Sequence, residues 1–90
     1  MSTLHLPLKG VYFDEIKSGA KIDEYRLITP FWARRLEGRT YDQIKLTKGY
    51  PPKSDSSRRM TRPWCGFRKM IITHPHFGPD PVEVYAIRVN

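Results

Sequence analysis

Residues 18–26 read Ser-Gly-Ala-Lys-Ile-Asp-Glu-Tyr-Arg, which gathers Lys21, Glu24 and Arg26 into one short stretch. Those three types suit a ligand that carries both negative charge and hydrogen-bonding edges. Lysine is a compact point charge, and arginine offers a two-pronged donor to a phosphate or a base carbonyl. A glutamate between them can accept from a base amino group, or act as a general base where it is partly desolvated. Convergence needs a local frame. Gly19 ends a short helix and a strand follows, in which Glu24 and Arg26 share a face roughly 7 Å apart. Lys21 sits in the turn before regular alternation and can swing to that face. The plainer alternative is an ion-pair network that fixes the strand's register.

A second chemistry-bearing pattern mixes basic and aromatic residues. Trp32 lies with Arg34 and Arg35. Arg58, Arg59 and Arg62 precede Trp64, and Phe67, Arg68 and Lys69 follow it. Arginines can hold backbone phosphates, and an exposed ring offers a stacking surface for an unpaired base. The alternative places both tryptophans in the core and the arginines on a solvated face, with Trp32 the more core-like of the two. Thr47, Lys48 and Tyr50, where a strand ends, are secondary site candidates. His74-Pro-His76 supplies two possible metal ligands without a third at convincing spacing, so no metal and no cofactor is expected. Cys65 has no identifiable base and reads as a small buried hydrophobe.

The elements that must position these groups switch between period two and helical spacing. Leu4, Leu6 and Leu8 alternate as a half-buried strand with Pro7 at or near its edge. Gly10 opens a short helix with Phe13 and Ile16 inward and Gly19 as its C-cap. A strand over 22–28 follows, and Thr29-Pro30 then starts a second helix that ends at Gly38. Residues 41–47 alternate again, with Ile44 and Leu46 on one face. The polar segment 53–57 is expected to be a mobile loop. Residues 58–62 and 67–73 read as two strands around a Pro63–Gly66 bend, followed by a proline-laden loop to Pro81. Residues 82–89 are apolar on both faces, hence a central closing strand. The sum is an α+β, mostly β, single domain spanning 1–90, with two short helices. A small barrel would satisfy its own edges, and a split α+β sandwich is the competing architecture.

Composition narrows the class of partner. The apolar fraction of 39% is that of a globular chain, and the net charge of +7 favours a polyanion, nucleic acid before an anionic membrane. One cysteine among 90 residues permits no internal disulfide and fits a reducing compartment. No apolar run approaches a membrane span and no basic-then-apolar leader opens the chain, so a cytoplasmic protein without membrane attachment is expected. A monomer is the expected state.

Gly19-x-Lys21-x-x-Glu24-x-Arg26 resembles the Gly-x-Lys-x-x-Glu-x-Arg signature of the ASCH domain, a branch of the PUA-like superfamily. The initial alternating strand, the helix before Gly19, the strand and loop over 41–50 and the final Val-Glu-Val-Tyr-Ala-Ile strand are similar in order, so the resemblance covers nearly the whole chain. It implies a PUA-like β-barrel with a cleft beside the motif, and an RNA-binding or nucleotide-binding role. Some small ASCH proteins hydrolyse N4-acetylated cytidine nucleosides and others cleave RNA. In an enzyme of either kind, Lys21 and Glu24 would be the catalytic pair. The amidohydrolase branch matches at Lys21 but carries a threonine nucleophile where this chain has Glu24; Glu83 is the candidate for its distant glutamate. A protein-interaction adaptor that keeps the fold without cleft chemistry is the third expectation.

Overall fold

A computed structural model describes residues 2–90. Its first strand, β1 (Thr3–Leu8), buries Leu4, Leu6 and Leu8, as their alternation requires. The helix α1 (Gly10–Ser18) buries Phe13 and Ile16 on one stripe and stops at Gly19, whose φ of 86° is left-handed. A side chain there would be strained, so the glycine sets the direction in which the chain leaves the helix.

The second strand, β2 (Asp23–Leu27), leads to Thr29, whose Oγ1 accepts from the Trp32 amide and caps α2 (Pro30–Leu36). Proline at the first helical position has no amide to leave unsatisfied. Strand β3 (Gln43–Lys48) turns Ile44 and Leu46 inward. A short 3-10 turn (Ser56–Arg58), capped by Asp55, precedes β4 (Arg59–Pro63). Strand β5 (Phe67–Ile72), a second 3-10 turn (Pro75–Phe77) and β6 (Val82–Arg88) complete the chain.

Pairing makes two three-stranded sheets, in the orders β1-β3-β4 and β2-β6-β5. β1 runs parallel to β3, and every other pair is antiparallel. β6 is central, as its apolar faces predict. The sheets are open rather than closed into a barrel: β1, β4, β2 and β5 are all edges. The bend at Pro63–Gly66 is the reason. It carries the chain from one sheet to the other instead of folding β4 back on β5 as a hairpin. Both sheets nevertheless share one core, in which Leu6, Ile44 and Leu46 meet Tyr85, Ile87 and the two helices through Phe13, Ile16 and Leu36.

Two placements differ from the sequence reading. Cys65 is exposed, because the bend that crosses between sheets holds it outside the core. Trp64 packs on that core, with its ring edge-on to Tyr41 at 5.1 Å. No helix among the described residues is long and apolar enough to cross a membrane.

Candidate ligand cleft

Register decides the burial of the central carboxylate. Glu24 and Arg26 lie opposite Ile87 and Tyr85 of β6, on the inner face of the sheet, so Glu24 is only 3% exposed. A carboxylate there needs charged partners. Lys21 Nζ lies 3.5 Å from Oε1 and Arg26 Nη2 lies 3.4 Å from Oε2, while the Tyr25 amide donates to Oε1. Both oxygens are therefore engaged. Asp23, on the opposite face, meets a fork from Arg68 at 2.8 and 3.2 Å. That arginine reaches past Ala86, the small residue between β5 and β2 in register.

Each cation is fixed a second time. The Lys21 ammonium sits 4.7 Å from the Tyr12 ring centroid and 4.8 Å from that of Tyr25, held between two negative ring faces. Arg26 donates through Nη2 to Pro7 O at 2.7 Å, and its guanidinium lies 5.2 Å from the Trp32 ring centroid. The backbone of Lys21 is fixed as well. The Asn90 side-chain amide donates to Ile16 O and to Lys21 O at 2.8 and 2.7 Å, which ties the turn to the end of α1.

The trio opens on a cleft of about 350 Å³, its open mouth included, bounded also by Lys9, Tyr12, Tyr25, His74, His76 and Phe77. Lys9 precedes α1, Tyr12 is on that helix, and the histidines come from the 3-10 turn before β6. His74 and His76 both present to the Tyr12 ring at 5.8 and 5.9 Å. His74 Nδ1 accepts from the His76 amide, which leaves Nε2 as the donor of the neutral ring. The His76 imidazole is held below its ordinary pKa by loss of solvent and then by nearby Lys9, His74 and Arg26, with Glu24 opposing.

Lys21, Glu24 and Arg26 are thus the expected site residues that the structure brings together. The others lie elsewhere. Lys48 pairs with Asp14 at 3.2 Å over α1, and Thr47 donates to Gly49 O. Tyr50 is almost fully exposed and lines no cleft with the trio. Arg58 pairs with Asp55, Arg59 donates to Pro51 O and Pro52 O, and Arg62 binds the Asn90 side chain. Each spends part of its donor set on neighbouring backbone or side chains, while Arg59 Nε is buried without a partner. Trp64 is a core-packing ring, and Glu83 is exposed on the far part of β6 beside Ile28 and Ile71. Among the described residues no cluster of His, Cys, Asp and Glu is placed to hold a metal.

The sequence reading missed Lys9, Tyr12, Tyr25 and Phe77 and weighed the histidines only as metal ligands. Tyr25 alone had a local signal, its position inside the motif. No family model, curated protein or solved structure matches the chain.

Proposed function

We propose that this chain is an ASCH-type domain, its two open sheets a small PUA-like pseudobarrel, and that it binds RNA or a nucleotide in the cleft at Lys21, Glu24 and Arg26. One observation carries the reading. A buried carboxylate with both oxygens engaged holds two cations at the floor of a cleft walled by aromatic rings. Rings offer stacking to an unpaired base while the cations take phosphate or a carbonyl. Three cations, Lys9, Lys21 and Arg26, face the cleft against one carboxylate, so an anionic guest is favoured. Binding is favoured over hydrolysis for a chemical reason: a carboxylate that already faces two cations and a backbone amide is a weaker base and nucleophile than a free one.

Titration of a short single-stranded RNA by fluorescence anisotropy at rising salt tests this. With up to three phosphate contacts, log affinity should fall against log salt with a slope of about −2. Lys21→Ala should weaken binding at every salt. Absence of binding even at low salt removes the reading. Turnover of N4-acetylcytidine or of the RNA that disappears in Lys21→Ala would replace it with the hydrolase.

A further inference from the structure

The histidine turn is the part of the cleft that the binding motif leaves unexplained. Its two imidazoles come from a segment about fifty residues beyond the motif, yet both meet Tyr12 and face Lys9, Lys21 and Arg26. We propose that His74 and His76 complete, with those three cations, an anion subsite that receives the phosphate of a nucleotide or RNA strand, and that His76 takes up a proton as the phosphate enters. The proposal rests on the nucleotide-binding reading and adds which ligand group these residues take.

The two rings have different parts. His74 uses Nδ1 to cap its own turn, so Nε2–H is the donor it turns to a ligand. The amide of His76 is used by that cap, whereas its ring has no hydrogen-bond partner among the described residues. Around it stand Lys9 before α1, Tyr12 on α1, Glu24, Tyr25 and Arg26 on β2, and His74 and Phe77 within its own turn. In the free protein loss of solvent first, and then Lys9, His74 and Arg26, discourage a proton on His76, and Glu24 only partly offsets them. An anion seated among Lys9, Lys21 and Arg26 offsets the cationic part of that bias. By linkage the same anion must bind more tightly as the pH falls and His76 is protonated.

An opposite charge within about 4–6 Å raises a basic group's pKa by roughly 1–3 units, so the affinity gain on acidification is of order tenfold. The probes are inorganic sulfate and the dinucleotide CpC, neither of which changes charge between pH 5.5 and 8. Calorimetric titration at both limits should give roughly tenfold tighter binding at the lower pH. In His76→Gln that difference should shrink below about twofold. Imidazole resonances followed by NMR should show the His76 midpoint moving upward on sulfate saturation. Affinity of the wild type independent of pH, or an equal acid gain in His76→Gln, overturns the proposal. Sulfate binding with a His76 response but no CpC binding would uphold the anion subsite and sink the nucleotide reading. CpC binding with a silent His76 would do the reverse.

Discussion

Glu24→Gln separates the electrostatics of the trio from its shape, because the amide keeps the volume and loses the charge. In the native cleft one carboxylate offsets Lys21 and Arg26, whose side chains are 12% and 21% exposed. Breaking a fully buried pair costs about 3–5 kcal/mol. Here the separations of 3.4 and 3.5 Å are long for ion pairs, and the cations keep some access to water, so the lower figure of about 2 kcal/mol applies. For a domain of this size that lowers Tm by roughly 8–16 °C. Urea unfolding at pH 7 would measure it directly, and sulfate affinity should hold or rise because the one acid lining the cleft among the described residues is gone. A companion variant, Lys21→Met with Glu24→Leu and Arg26→Met, leaves no buried charge unpaired, since apolar groups of similar volume replace buried ion networks at little cost. It forfeits the charge-assisted bond from Arg26 to Pro7 O, about 1.5–3 kcal/mol, so its net stability should be close to that of Glu24→Gln, and it should bind neither sulfate nor RNA. A loss below about 0.5 kcal/mol in Glu24→Gln would refute the burial argument. Sulfate or RNA binding retained by the triple variant would make the trio a structural network and leave the cleft without its chemistry.

Two further outcomes follow from contacts outside the trio. Asn90→Ala removes donors to Ile16 O and Lys21 O and should cost about 1–2 kcal/mol in urea unfolding; RNA affinity should weaken with it, and be restored in part by Asn90→Gln. Glu37 accepts from Lys69 and from the Tyr85 hydroxyl, which hold its carboxyl below the ordinary 4.5. A depressed acid contributes stability above its unfolded pKa and loses it as pH falls through the folded value, so wild-type melts should drop on acidification below about 4.5 more steeply than those of Glu37→Gln.

The elements that sequence made legible were those with short-range causes. Leu4, Leu6 and Leu8 alternate because one face is buried, Gly19 stands where the backbone turns left-handed, and Thr29-Pro30 caps a helix with its own atoms. The trio was legible for the same reason, its members lying within one turn and the start of one strand. What the local pattern could not decide was pairing. Four residues at Pro63–Gly66 suit a hairpin as well as a crossing, and only the inward faces of both sheets determine that β4 joins β3 while β5 joins β6. The arginines at 59 and 62 looked like part of a phosphate-binding row because their acceptors, Pro51 O, Pro52 O and Asn90, cannot be read as partners from spacing; Asp55 and Arg58 stand three apart and pair only because a 3-10 turn forms there. Tyr12 and His74 meet only after sixty residues of chain have been wound around the core.

Arg26 makes the cleft and the fold one problem. β2 and β1 are edges of different sheets and share no ladder, yet Arg26 donates from one to the carbonyl of Pro7 on the other. The seam that a closed barrel would seal with backbone pairs is bridged here by a side chain whose Nε is buried without a partner and whose remaining charge faces Glu24 and the cleft. A phosphate that engages Arg26 therefore acts on the contact between sheets as well as on the binding surface. Ligand saturation at a hundred times Kd should add about 2.7 kcal/mol to global unfolding, and the gain should appear in the slowest-exchanging amides of both sheets. Protection confined to β2 and the histidine turn would mean that the bridge from Arg26 to Pro7 does not couple the sheets.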